Sequence, residues 1–118
     1  MGKSTSKFIV KDSGKRLNFK SGMVRDIAND KIDYSLSFDG PMFKRLSVLL
    51  TNAANSKYSK RNWMKANSKE EMERFKESAV RHFYQWFSGE NSEEDHAAAL
   101  IFNINGYEYV KDKINKNH

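Results

Sequence analysis

Lys57, Tyr58, Lys60, Arg61, Asn62 and Trp63 place three cations, two aromatic rings and an amide within seven residues. Cations hold phosphate oxygens, rings stack on a base, and an asparagine amide reads a base edge, so the segment has the parts of a nucleotide grip. A structural reading competes: Tyr58 and Trp63 anchor a loop to the core while the cations are solvated. A second constellation is Ser78, Arg81, His82 and Gln85. At helical spacing Ser78, His82 and Gln85 share one stripe with Arg81 beside it, as in the wall of a pocket. His82 there suits proton transfer or metal ligation, against the plainer role of a hydrogen-bonded structural histidine.

The third constellation is Glu93, Glu94, Asp95 and His96, with Asn103 seven residues beyond His96. On a helix His96 and Asn103 share a face two turns apart. Carboxylates beside a histidine bind a divalent cation that neutralises phosphate charge. Capping by Ser92 and complementarity to a helix N-terminus also account for the acidic run, but not for His96. The fourth is Gly22-Met23-Val24-Arg25-Asp26 with Lys31 and Tyr34 downstream, a glycine-hinged basic segment able to fold over a ligand. It carries neither a Walker pattern nor a dinucleotide-binding glycine pattern. Glu70 and Glu73 form an E-x-x-E in the first turn of a helix, where dipole compensation explains them.

The elements that position these groups follow from periodicity. Residues 1 to about 39 are rich in Lys, Ser, Asp and Gly, with short apolar pieces at Phe8-Ile9-Val10 and Leu17-Asn18-Phe19, and read as an irregular arm or short strands. Pro41, the lone proline, suits a first helical turn, and Met42, Phe43, Leu46, Leu49, Leu50 and Ala53 recur at helical spacing. A basic, aromatic connector follows. Ser68 stands three residues before Glu71, which is a capping-box spacing, and Gly89 is a terminator, so a helix is expected from there to about Ser88. Its apolar face is Met72, Phe75, Ala79, Phe83 and Trp86. A last helix is expected from about Glu93 to Lys113, with Ala97, Leu100, Ile101, Ile104 and Tyr107 or Glu108 on one face and lysines near its end. The expected fold is mainly α, a compact bundle of about three main helices with a basic N-terminal arm. Residues 1–20 form the arm and 21–115 a single nucleotide-binding domain. No internal repeat or low-complexity block is present.

With 118 residues, one hydrophobic core is the expectation, and a chain this small with 13% aromatic residues is expected to self-associate as a homo-oligomer. The net charge of +6, concentrated in Lys3, Lys7, Lys11, Lys15, Arg16, Lys20 and Arg25, favours anionic partners without choosing between nucleic acid and a small phosphate ligand. The absence of cysteine excludes disulfides, thiolate metal sites and a cysteine nucleophile. No apolar run approaches membrane-spanning length and no signal peptide is read, so a cytoplasmic location and no membrane partner are expected.

Taken in order, R-D at Arg25-Asp26, K-x-x-Y at Lys31 to Tyr34, K-Y-x-x-R-N-W at Lys57 to Trp63, S-A-x-R-H at Ser78 to His82, and E-D-H-x-A-A at Glu94 to Ala99 with F-N at Phe102-Asn103 resemble one family. It is the small phage-encoded family labelled dATP/dGTP diphosphohydrolase, described as MazG-like. The resemblance spans roughly Ser21 to Glu108. It implies a helical protein of an infected bacterial host that handles purine nucleotides, with hydrolysis between the α and β phosphates assisted by Mg²⁺ or Mn²⁺. Asp26, Glu94 and Asp95 lie within the shared motifs as acidic ligands, with His82 and His96 nearby. The resulting assignment makes Asp95 and His82 catalytic, and Glu94, Asp95 and His96 metal ligands. The ligand contacts are Arg25, Lys31, Tyr34, Lys57, Tyr58, Arg61, Asn62, Trp63, Arg81, His82, His96 and Asn103. Lys57, Arg61 and Arg81 serve phosphates, and Tyr58 or Trp63 stacks.

Two further functions compete. One is a non-catalytic sponge that sequesters a cyclic or linear nucleotide immune signal and needs no metal. The other is a DNA-binding accessory protein that uses the basic arm.

Overall fold

The computed structural model describes residues 12, 14–26, 31–56, 58–90 and 93–116. The expected strand at Phe8-Ile9-Val10 lies outside them. The chain divides into two units, residues 1–34 and 35–118.

In the first unit, β1 (Arg16–Asn18) and β2 (Val24–Asp26) pair antiparallel, with Leu17 opposite Arg25. The reversal between them is closed by the Gly22 amide donating to Phe19 O at 2.9 Å and the Phe19 amide donating to Met23 O at 3.0 Å. Gly22 has φ +97°, a conformation in which a Cβ is strained, so glycine is the fitting residue there. Arg16 clamps the open end, reaching Asp12 at 2.8 Å and Asp26 at 3.3 Å. The expected short strand at Leu17 is therefore present, as half of a hairpin.

The second unit is helical: α1 (Met42–Ser56), α2 (Lys69–Ser88) and α3 (His96–Lys116), with a short 3₁₀ turn at Asn62–Lys65; a further 3₁₀ turn, Tyr34–Phe38, begins on the last residue of the first unit. Pro41 precedes α1, and its carbonyl accepts the first helical bond from the Arg45 amide at 3.1 Å. The expected capping box is formed: Ser68 Oγ accepts from the Glu71 amide, and the Glu71 carboxylate accepts from the Ser68 amide. Gly89 in the left-handed conformation stops α2. The last helix begins at His96, later than expected. Its cap is Asp95, whose Oδ1 accepts from the Ala98 amide at 3.1 Å; Ser92, the expected cap, lies outside the described residues.

The helices pack as α2 on α3, with α1 against α3. The buried apolar residues are small (Ala66, Ala79, Ala98, Ala99 and Val110), and His82, His96 and Asn103 are buried with them. His96, Ala99, Asn103, Gly106 and Val110 are buried along one face of α3, and Ala98 is buried as well. This corrects the expected apolar face, because Ile104 is exposed and Ala97, Leu100, Ile101 and Tyr107 are only half-buried. The reason is packing distance. Small side chains let α2 approach closely, and the Phe75 ring fills the space over Gly106. On α2, likewise, His82 is inside while Phe83 and Trp86 are exposed, and Phe83 stacks against Phe87 with ring centroids 5.8 Å apart. No helix among the described residues is long and apolar enough to cross a membrane.

Candidate functional site

The segment from Tyr58 to Ala66 holds the first expected constellation. Arg61 adopts φ +62°, ψ 24°, the left-handed region uncommon for a side chain with a Cβ, and this sharp reversal launches the 3₁₀ turn Asn62–Lys65. Trp63 then packs edge-on against Phe102 (5.8 Å between centroids) and Tyr109 (5.1 Å), so one of its roles is the anchoring that competed with base stacking. The turn is fastened from α3 by Lys113, whose Nζ donates to Met64 O and Ala66 O, each at 2.8 Å. A lysine holding two backbone carbonyls spends most of its donor capacity on structure.

Between this turn and the α2–α3 seam lies an open groove of about 500 Å³, lined by Asn62, Trp63, Lys65, Ala66, Glu71, Arg74, Phe75, Ser78 and Asn103. Its volume is in the range of small-molecule sites. Two cations, Lys65 and Arg74, face a single carboxylate, Glu71, which the Asn67 and Ser68 amides already engage. Those amides, Asn67's first, and the Ser68 hydroxyl hold Glu71 below the usual carboxylate pKa. Asn103 is buried, its Nδ2 donating to Ala99 O at 2.8 Å, which fixes its amide in the seam.

The seam continues from the groove to a histidine pair. His82 lies one turn beyond Ser78 on α2, and His96 lies two turns before Asn103 on α3, about 6 and 10 Å along the helix axes. The two rings are buried, with Nδ1 of His82 3.0 Å from Nδ1 of His96. Glu94 Oε1 lies 4.0 Å from His82 Nδ1. Arg81 Nη2 lies 3.5 Å from His82 Nε2, at the outer limit of a hydrogen bond. Because arginine only donates, this contact assigns the acceptor role to Nε2 of His82 and the proton to its Nδ1, which then donates to His96 Nδ1. Nε2 of His96 is buried without a hydrogen-bond partner among the described residues. Burial first and then the neighbouring Arg81 guanidinium, with His96 a smaller contributor, push the His82 pKa down against the opposing pull of Glu94, and the shift favours the neutral ring. A neutral imidazole is the form that takes up a proton or ligates a metal.

Asp95 is committed elsewhere. Its carboxylate receives Arg45 in a fork, Nε on Oδ2 at 2.7 Å and Nη2 on Oδ1, while also capping α3. The Arg45 hydrogen bond is the main cause holding its pKa below the normal range. Arg45 and Arg74 carry no sequence signal, since an isolated cation on an amphipathic helix does not announce its partner; Lys65 falls in the basic, aromatic connector but beyond the constellation that ends at Trp63.

Of the remaining expected residues, Tyr58 and Arg61 are exposed at the start of the turn, and Lys57 lies outside the described residues. Arg25, Lys31 and Tyr34 are exposed in the first unit. Glu70 and Glu73 are exposed on the first turns of α2.

A family model described as dATP/dGTP diphosphohydrolase, N-terminal, matches residues 22–114. No curated protein and no solved structure matches the chain.

Proposed function

The chain belongs to the dATP/dGTP diphosphohydrolase family, and from that premise we propose that it binds a purine nucleoside triphosphate in the α2–α3 groove and cleaves it between the α and β phosphates. One observation carries this reading. Asn62 and Trp63, Ser78, and Asn103, which come from three separate sequence motifs on three elements, line the same groove. The free edges of Trp63 and Phe75 offer an apolar wall for a base, and the Asn62 amide offers a donor and an acceptor to its edge. Arg74 in the groove and Arg81 one turn beyond Ser78 are spaced to take phosphate oxygens along the seam. That direction leads the phosphates toward the buried His82–His96 pair at the seam's end. A divalent cation, when bound, supplies charge neutralisation on the phosphates and lowers the pKa of a water. The donors for it near the seam's end are His82, His96 and Glu94. Phage origin belongs to the same reading, as does self-association through the exposed aromatic side of α2, which light scattering checks.

The test is incubation with dATP and dGTP in Mg²⁺, Mn²⁺ or Zn²⁺, with the products identified by mass spectrometry. Deoxynucleoside monophosphate and pyrophosphate are expected, and Asn62→Ala and Arg74→Ala should raise KM. Nucleotide retained intact, with thermal stabilisation near the 2.7 kcal/mol expected at a hundredfold excess over Kd, replaces hydrolysis by the sponge reading. Neither product nor stabilisation overturns nucleotide binding altogether.

A further inference from the structure

Among the described residues, His82, Glu94 and His96 form the one group of three potential ligand side chains whose donor atoms all lie within 4.8 Å of one another. We infer that these three residues are the protein's metal site, and that it is built for a borderline transition ion of the Zn²⁺ or Co²⁺ type and not for Mg²⁺. The inference deepens the proposed function by naming its ion, and it replaces Asp95 in the expected ligand set by His82.

Three observations converge. The first is geometry. Neighbouring ligands on bonds of 2.0–2.1 Å lie about 2.9–3.4 Å apart, depending on coordination number, and the two Nδ1 atoms are already 3.0 Å apart. Glu94, exposed on the segment just before α3, brings its Oε1 to 4.0 Å from the same nitrogen of His82. Two imidazoles and one carboxylate with the remaining positions open is the ligand set of catalytic zinc sites. The second is donor chemistry. Mg²⁺ demands near-octahedral oxygen ligands and keeps its waters, whereas imidazole nitrogen favours Zn²⁺, Co²⁺ and their neighbours. The third is that the oxygen donor that would make the site harder is withheld. The Asp95 carboxylate is forked by Arg45 and caps α3, so recruiting it would cost both contacts.

Without an ion, a proton on His82 Nδ1 bridges the two rings. Ligation requires that proton to move to Nε2 by exchange with solvent, leaving the ring neutral.

The experiment needs no nucleotide. The full chain, stripped with a chelator, is titrated with Co²⁺ and followed by visible d–d absorption. One equivalent per chain should saturate the signal, Zn²⁺ should abolish it, and Mg²⁺ in hundredfold excess should leave it. Glu94→Gln, at an exposed position, should weaken Co²⁺ binding at least tenfold with an unchanged melting temperature, and His96→Gln should remove it. His118→Gln should bind as the unaltered chain does. No saturable absorption in the unaltered chain, displacement by Mg²⁺, or full affinity in Glu94→Gln would overturn the site while leaving nucleotide binding in the groove standing. Conversely, a good Co²⁺ site with no nucleotide turnover would leave this inference intact.

Discussion

A Cβ built on Gly106 of α3 would lie 2.5 Å from Cε1 of Phe75 on α2, closer than any real carbon contact allows. Phe75 cannot simply withdraw, because its ring stands edge-on to Phe102 at 6.0 Å between centroids and lines the groove. Gly106→Ala gains about 1 kcal/mol of helix propensity but meets an overpacking cost of about 1–3 kcal/mol. The expected result is a net loss of about 1 kcal/mol, or roughly 5 °C in Tm, with weakened nucleotide binding as the ring is driven toward the groove. Thermal melts of Gly106→Ala, Phe75→Leu and the double variant check it. The double variant should recover part of the loss, and a stabilised Gly106→Ala would show that the seam is looser than this contact implies.

The turn that carries Asn62 and Trp63 depends on Lys113 in the same way. Replacing it by Met keeps the stem but leaves Met64 O and Ala66 O without their donor, at a cost of about 1–3 kcal/mol. Lys113→Met should therefore raise KM for nucleotide severalfold while kcat stays within a factor of two, because the histidine end of the seam is untouched. A fall in kcat at constant KM would place Lys113 in the chemistry and not beneath the turn.

What could be read from the residues and what could not divides along physical lines. The limits of α2 were legible because Ser68, Glu71 and Gly89 act on backbone groups within one turn, and the start of α1 because Pro41 does so too. The hairpin appeared only as a short apolar piece, since its register is set by a turn at Gly22 and by Arg16 reaching Asp26. The buried face of α3 was not legible. Hydrophobicity favours Leu100, Ile101 and Ile104, but the closest approach of two helices selects small residues, so Ala99, Asn103 and Gly106 went inside. For the same reason Asn62, Trp63 and Asn103 could be singled out from their types, whereas Arg74 beside them and Arg45 on Asp95 become visible only once the helices are packed.

The capping box makes a prediction with a pH dependence. Ser68→Ala should cost about 1 kcal/mol, the usual worth of an N-cap, read by urea denaturation. Glu71 has a folded pKa below its ordinary 4.5 through the Asn67 amide first and the Ser68 hydroxyl next. A carboxylate with a depressed folded pKa stabilises above its unfolded value, and that contribution is lost as pH falls from about 4.5 through the lowered value. Glu71→Gln should flatten the acid limb of the stability curve. Ser68→Ala should only soften it, because the Asn67 bond survives. An acid limb identical in all three proteins would show that the carboxylate is not held in solution as it is here.

Asp95 and Glu94 are adjacent, yet the structure gives them different work, and their amide variants should separate it. Asp95→Asn keeps a competent cap, since Asn ranks with Asp at that position, but loses the charge that Arg45 grips. The pair is partly exposed, with side chains 44% and 31% accessible, so the loss should stay at or below about 1 kcal/mol. Asp95→Ala removes the cap as well and should cost about 1 kcal/mol more. Neither change touches the histidine pair, so Co²⁺ affinity should remain within about threefold of the unaltered chain in Asp95→Asn. Glu94→Gln should do the reverse, leaving the urea midpoint in place and weakening the ion. Urea titration and Co²⁺ absorption on the same preparations decide between them. If Asp95→Asn were the variant that lost the ion, the carboxylate must leave Arg45 to ligate, and the acidic pair would have exchanged roles.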